Sequence, residues 1–159
     1  MWQSWIRALA ATSFASSILR VALPPIDVRL LLWSSGRLCL TSWLSGLDVA
    51  LLKVPGRRTG RVRSIPLAVF PHQHGYYVVA SNFGRPHRPA WYFDLKQAGT
   101  VRLLHRKSRA EFSVGEAGDA ERDVLWARAV ATYSGYAQYE VRGGGGPVPI
   151  LLLTPLQAN

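Results

Sequence analysis

The stretch DVALLKVPGRRTGRVRSIPLAVF, residues 48–70, decides the architecture. It holds two apolar, β-branched runs, Asp48 to Val54 and Val62 to Phe70, joined by Pro55-Gly56-Arg57-Arg58-Thr59-Gly60. The glycines allow a tight reversal through positive φ, so the runs are expected to form a hairpin. Pro66 cannot donate to a ladder, which places the second strand at an edge or gives it a bulge there.

Working outward, further strand-like runs occur at Tyr76 to Asn82, Thr100 to Arg106, Arg109 to Val114 and Val148 to Thr154, making six strands after residue 47. Between them a helix is expected to start at Pro89 and run through Trp91, Tyr92 and Leu95 until Gly99 stops it. Another should start at Asp119, an N-cap residue type, with Leu125, Trp126, Ala129 and Val130 at core spacing. Strands separated by these two helices read as α+β. Upstream, Pro24 and Pro25 should end one helical segment, with a second from Ile26 to Trp33. The chain thus divides into a helical extension, residues 1–47, and a main unit, residues 48–159, forming one domain overall; 159 residues with 48% hydrophobic content suit a single core.

A net charge of +10 attracts polyanions: phosphorylated cofactors, nucleic acid or acidic lipid. Cys39 is the lone cysteine, which excludes an intramolecular disulfide and suits a reducing cytoplasm. Polar and basic residues interrupt every apolar window before residue 23, so no transmembrane helix or signal peptide is expected. Trp2, Trp5, Ile6 and Leu9 share one helical face, which suits packing on the main unit, contact with a second subunit, or docking of residues 1–23 at the inner membrane face.

Three constellations carry the chemistry. Lys53, Arg57, Arg58, Arg61 and Arg63 lie within eleven residues that contain no acid, and from Lys53 to Arg109 twelve basic residues face one acid, Asp94. Guanidinium forks match phosphate and carboxylate oxygens, and the turn adds backbone donors. Ser81 to Tyr92 leaves a strand and opens a helix, aiming hydroxyl, amide and helix N-terminal groups at one spot. Tyr133, Tyr136 and Tyr139 at helical spacing offer three phenols along one side, although such tyrosines also serve as packing residues. His72-Gln73-His74 has no cysteine or acid beside it in sequence, and neither Gly143–Gly146 nor Gly56–Arg61 has the spacing of a dinucleotide fingerprint or P-loop, so a metal centre and a Rossmann site are not expected.

In this order the constellations resemble the deazaflavin-dependent nitroreductase family, from about Val49 to Pro155. The specific pieces are Gly56-Arg57-Arg58-Thr59-Gly60 with Arg63 and Pro66-Leu67; Ser81, Gly84 and Pro89-x-Trp91-Tyr92-x-x-Leu95; and Tyr133-x-x-Tyr136-x-x-Tyr139 followed by Val148-Pro149-Ile150. The resemblance implies a split β-barrel, of the FMN-binding type, using reduced 8-hydroxy-5-deazaflavin, coenzyme F-420, to pass hydride to a quinone, nitroaromatic or activated alkene. By motif position, Arg57, Arg58, Thr59, Arg63, Pro66, Leu67, Ala90 and Trp91 would bind the cofactor. Tyr133 and Tyr136 would be catalytic, and Ser81 and Tyr139 would face the acceptor. Arg58 stands where lysine is usual, Asp94 where asparagine is usual, and Ala68 where some relatives carry a tyrosine.

Two other readings remain open at this stage. One keeps the barrel but gives it FMN or a carrier role; the other makes the basic, aromatic-rich chain a nucleic-acid-binding module. A homodimer is an open expectation, because barrels of this kind bury sheet edges against a second copy.

Overall fold

The computed structural model describes residues 13–144 and 146–156. The helical face of Trp2, Trp5, Ile6 and Leu9 therefore lies outside the described residues. Seven strands form one antiparallel sheet in the order β2-β1-β5-β6-β7-β4-β3. They are β1 (Val49–Pro55), β2 (Val62–Ala68), β3 (Phe70–His72), β4 (Gly75–Val79), β5 (Thr100–His105), β6 (Ser108–Glu116) and β7 (Ile150–Pro155). Among the described residues five α-helices accompany the sheet: α1 (Ser13–Trp33), α2 (Leu40–Ser45), α3 (Ala90–Ala98), α4 (Asp119–Thr132) and α5 (Gly135–Arg142). The α+β class and the curled split-barrel sheet agree with expectation.

There are seven strands where six were expected, because the run Val62 to Phe70 changes partners at its end. Residues up to Ala68 pair with β1, closing on Val49 opposite Ala68, whereas Phe70 pairs with Tyr77 of β4. Between them Val69 is held by its amide donating to Asp48 O at 2.8 Å. One stretch of chain thus forms both ends of the sheet order and curls it into a half-barrel. Pro66 lies on β2, an edge strand as its missing donor requires, opposite Leu51.

Strand β1 is buried on both faces, which explains its unbroken run Val49-Ala50-Leu51-Leu52. Its even-numbered residues Ala50, Leu52 and Val54 join Val78, Leu103 and Leu151 in the barrel interior, which Tyr92 and Leu95 of α3 cover. Its odd-numbered Val49 and Leu51 face outward to Leu31 of α1. A third cluster packs Leu125 and Ala129 of α4, with Tyr136 and Tyr139 of α5, on the outer face of β4 and β7.

Four local expectations require correction. Helix α1 runs through Pro24 and Pro25 without ending. Proline's own φ suits a helix; what is lost is the partner of the carbonyls at residues 20 and 21. Tertiary contacts hold the helix beyond that point: the buried Asp27 carboxylate accepts from the amides of Leu40 at 2.8 Å and Thr41 at 3.2 Å, and from the Thr41 hydroxyl. Pro89 is the extended residue before α3, not its first helical residue, and Gly118 in place of Asp119 precedes α4. The three tyrosines do not share one helix either. Tyr133 ends α4 with φ −142°, and α5 begins two residues later.

Candidate active site

A cavity of about 510 Å³ opens between β2, α1, α2 and the β4–α3 connection, a volume in the range of small-molecule sites. Pro66 and Leu67 of β2 and Trp91 of α3 line one part of it; Ser81 and the three tyrosines line another. Seven of the twelve residues singled out from the sequence thus meet at one chamber.

The tyrosines reach it although their helix is broken. Ring centroids are 5.6 Å apart for Tyr133–Tyr136, 6.0 Å for Tyr136–Tyr139 and 6.4 Å for Tyr133–Tyr139. Gly135 makes this packing feasible, because a Cβ there would overlap the Tyr133 ring. Burial pushes the Tyr136 phenol well above the ordinary tyrosine range. It does the same to Tyr139, with a hydrogen bond to Tyr133 adding to the effect. Both groups therefore stay protonated at neutral pH and act as hydrogen-bond donors, not as anions.

The remaining five residues lie outside the chamber. Arg57, Arg58 and Thr59 occupy the exposed β1–β2 turn, with Arg63 on the strand after it and Ala90 exposed at the start of α3. The turn closes through Gly56 N to Arg61 O at 2.9 Å and Gly60 N to Gly56 O at 2.8 Å, with Gly60 at φ +68°. Arg63 and Pro66 are three residues apart on β2, roughly 10 Å along an extended strand. The arginines therefore stand at one end of the chamber wall.

Asp94 organises this end. It is buried, yet its Oδ1 accepts from the Arg57 amide at 3.0 Å, and Arg57 Nε and Arg63 Nη1 lie 3.7 and 3.9 Å from its carboxylate. Arg57 also stacks over Phe93, 4.9 Å from the ring centroid. Asp94 is thus the bolt between the turn and α3, a role invisible in sequence, where it reads only as an acid near an anion site. Its Oδ2 is the one buried side-chain polar atom without a hydrogen-bond partner among the described residues. No carboxylate pairs with Arg58 or Arg61 among those residues.

Sequence reasoning also missed the wall supplied by the helical extension, where Leu23, Pro24 and Asp27 of α1 and Leu44 of α2 line the chamber. No local motif marks them, because their position depends on how α1 lies against the barrel. Among other groups, His72 Nε2 meets Glu121 at 3.1 Å, a partner supplied by the fold. The Cys39 thiol, pushed up to about 11 by burial, stays protonated and is a poor nucleophile.

Residues 34–155 match the family model described as F420H(2)-dependent quinone reductase. The chain belongs to this family. It is an oxidoreductase that uses reduced coenzyme F-420, the deazaflavin expected from its motifs. A solved structure described as F420-H2 dependent reductase (FDR-A) is 28% identical, with a TM-score of 0.60, over 66% of this chain and 92% of that one. A second, described as a domain-swapped dimer, is also 28% identical at a TM-score of 0.60, over 66% of this chain and 78% of that one. An FAD-binding protein (mll6688) from Mesorhizobium loti shares the fold at 13% identity and a TM-score of 0.50, over 74% of this chain and 87% of that one.

The residues present fit the deazaflavin. Its phosphate and carboxylates call for guanidinium donors, which Arg58 and Arg61 offer without a carboxylate partner among the described residues, and its ring system calls for apolar walls such as Pro66, Leu67 and Trp91.

Proposed function

We propose that the arginine turn holds the anionic part of the cofactor and that the tyrosine chamber holds the electron acceptor, a quinone, nitroaromatic or activated alkene. The convergence of Pro66, Leu67, Trp91, Ser81 and the three tyrosines on one cavity beside the arginines carries this reading. When bound, the reduced deazaflavin supplies a hydride. Arg57, Arg58, Thr59 and Arg63 bind the phosphate and carboxylates, and Ala90 and Trp91 support the cofactor from the start of α3. Pro66 and Leu67 keep water from the reacting face. Tyr133 and Tyr136 donate hydrogen bonds to the acceptor oxygen, with Ser81 and Tyr139 completing its surroundings. Burial keeps the Tyr136 and Tyr139 phenols protonated, and the proton that balances the hydride comes from a tyrosine or from water.

Fluorescence titration should give saturable, roughly one-to-one deazaflavin binding in preference to FMN, and no length-dependent binding to oligonucleotides. Tyr136→Phe should keep that affinity and lower acceptor reduction by about tenfold, the worth of one hydrogen bond of roughly 1.4 kcal/mol. Lost cofactor affinity with unchanged turnover would move Tyr136 to the cofactor side.

The same reading extends to assembly and location. We propose a homodimer through the sheet edges at β2 and β3, supported by the related chain described as a domain-swapped dimer. Sedimentation at micromolar concentration should show it, and a monomer there rejects it.

No helix among the described residues is long and apolar enough to cross a membrane. A peripheral contact with the inner membrane face is supported by the exposed side chains of the helical extension, where Trp33 is 80% and Trp43 66% exposed and Leu32, Leu38, Arg29 and Arg37 are also exposed. Tryptophan and arginine together suit an anionic lipid interface. The full chain should float with anionic liposomes, and changing Trp33 and Trp43 to serine or deleting residues 1–23 should each reduce flotation. Equal flotation of both variants would eliminate this contact.

A further inference from the structure

The connection from β4 to α3 contains two consecutive non-glycine residues in the left-handed region, Asn82 at φ 45° and Phe83 at φ 55°. Asparagine tolerates that region because its side chain bonds locally, and Asn82 Nδ2 donates to His87 O at 2.7 Å. Phenylalanine has no such compensation, and a bulky residue there is an outlier. Phe83 is also 43% exposed, so its side chain is only partly covered by the fold. Two unfavourable features therefore coincide at one position.

The neighbouring packing keeps Phe83 in place. At Gly84 an added Cβ would come within 3.0 Å of Tyr139 Cα and Arg142 Cβ, so this loop is pressed against α5 and has little room to relax. The Phe83 ring lies edge-on to Tyr139, with centroids 5.9 Å apart and planes at 64°, and it lines the chamber together with Ser81 and Tyr139. An exposed aromatic ring, held at a strained position on the rim of an apolar chamber, is left with a face for a ligand to cover.

We infer that Phe83 is a specificity-determining residue that stacks on the ring of a planar aromatic acceptor and favours such acceptors over compact, non-aromatic ones. The inference rests on the assignment of the tyrosine chamber to the acceptor. Glycine at this position would remove the ring and relieve the backbone, whereas leucine would keep apolar bulk without a flat face. The two variants separate stacking from simple filling of space.

The test compares wild type, Phe83→Gly and Phe83→Leu with a two-ring quinone and with a small acyclic activated alkene, alongside deazaflavin titration and thermal melting. Both variants should raise KM for the quinone by about three- to tenfold, the range of an aromatic pair. KM for the alkene and cofactor affinity should stay at wild-type values. Phe83→Gly should melt no lower than wild type, because the substitution removes strain. Equal KM for the quinone in all three proteins, or equal increases for both acceptors, would overturn the inference. If the Phe83 variants are silent while Tyr136→Phe impairs acceptor reduction, only the role of Phe83 falls. If Tyr136→Phe is silent and the Phe83 variants instead lose cofactor affinity, the assignment of the chamber to the acceptor falls with it.

Discussion

Replacing Arg58 with alanine is expected to weaken binding of the deazaflavin by about ten- to a hundredfold, because a charge-assisted contact to an anion is worth roughly 1.5 to 3 kcal/mol. Turnover at saturating cofactor should change little, since the guanidinium holds the anionic tail and does not touch the reacting atoms. Arg58 is exposed on the turn and has no carboxylate partner among the described residues, so its charge is available to a ligand. Arg63→Ala should act in the same direction but less strongly, because Asp94 already shares that charge at 3.9 Å. Equilibrium titration against single-turnover rates separates the two effects. Full affinity with lost turnover in the arginine variants would mean that the division of the site into anchor and reaction face is wrong.

The second large effect is expected at Asp94, whose replacement by alanine should lower stability by about 1 to 3 kcal/mol, the cost of leaving the part-buried Arg57 amide and its neighbours without their acceptor. A thermal melt should fall by roughly 3 to 10 °C for a domain of this size. Asparagine at this position separates two roles of the carboxylate. It can still accept from the Arg57 amide, so the turn stays bolted to α3, but it carries no charge to compete for Arg57 and Arg63. Asp94→Asn should therefore keep most of the stability and bind the anionic cofactor more tightly than wild type. Weaker cofactor binding by Asp94→Asn would refute the role of Asp94 as an internal counter-anion.

Much of the fold was legible because its signals are local. The glycine-bounded turn after Val54 and the stop at Gly99 depend on backbone freedom, and the structure places them where expected. Pro66 marked an edge strand for the same reason: a residue without an N–H has no place in the middle of a ladder. The limits of local reading appear at Val69, where the chain continues but changes its hydrogen-bonding partner, and at Pro24 and Pro25, where helix α1 persists. In both cases the deciding contacts come from distant residues, Asp48 for Val69 and Leu40 and Thr41 for the segment around Asp27.

For the site, the sequence by itself determined the chemical inventory: a turn dense in arginine, a serine-to-tryptophan segment opening a helix, and three phenols in fixed order. Tertiary structure decided the geometry. It brought Ser81, Trp91 and the tyrosines to one chamber, left the arginines outside it, and gave Asp94 its place as a bolt between Arg57 and α3. It also added α1 as a wall and turned Phe83 to the rim. The physical reason is one of range: turn chemistry and side-chain period act over a few residues, whereas burial, ion pairing and cavity walls depend on residues tens of positions apart that meet only when the sheet curls.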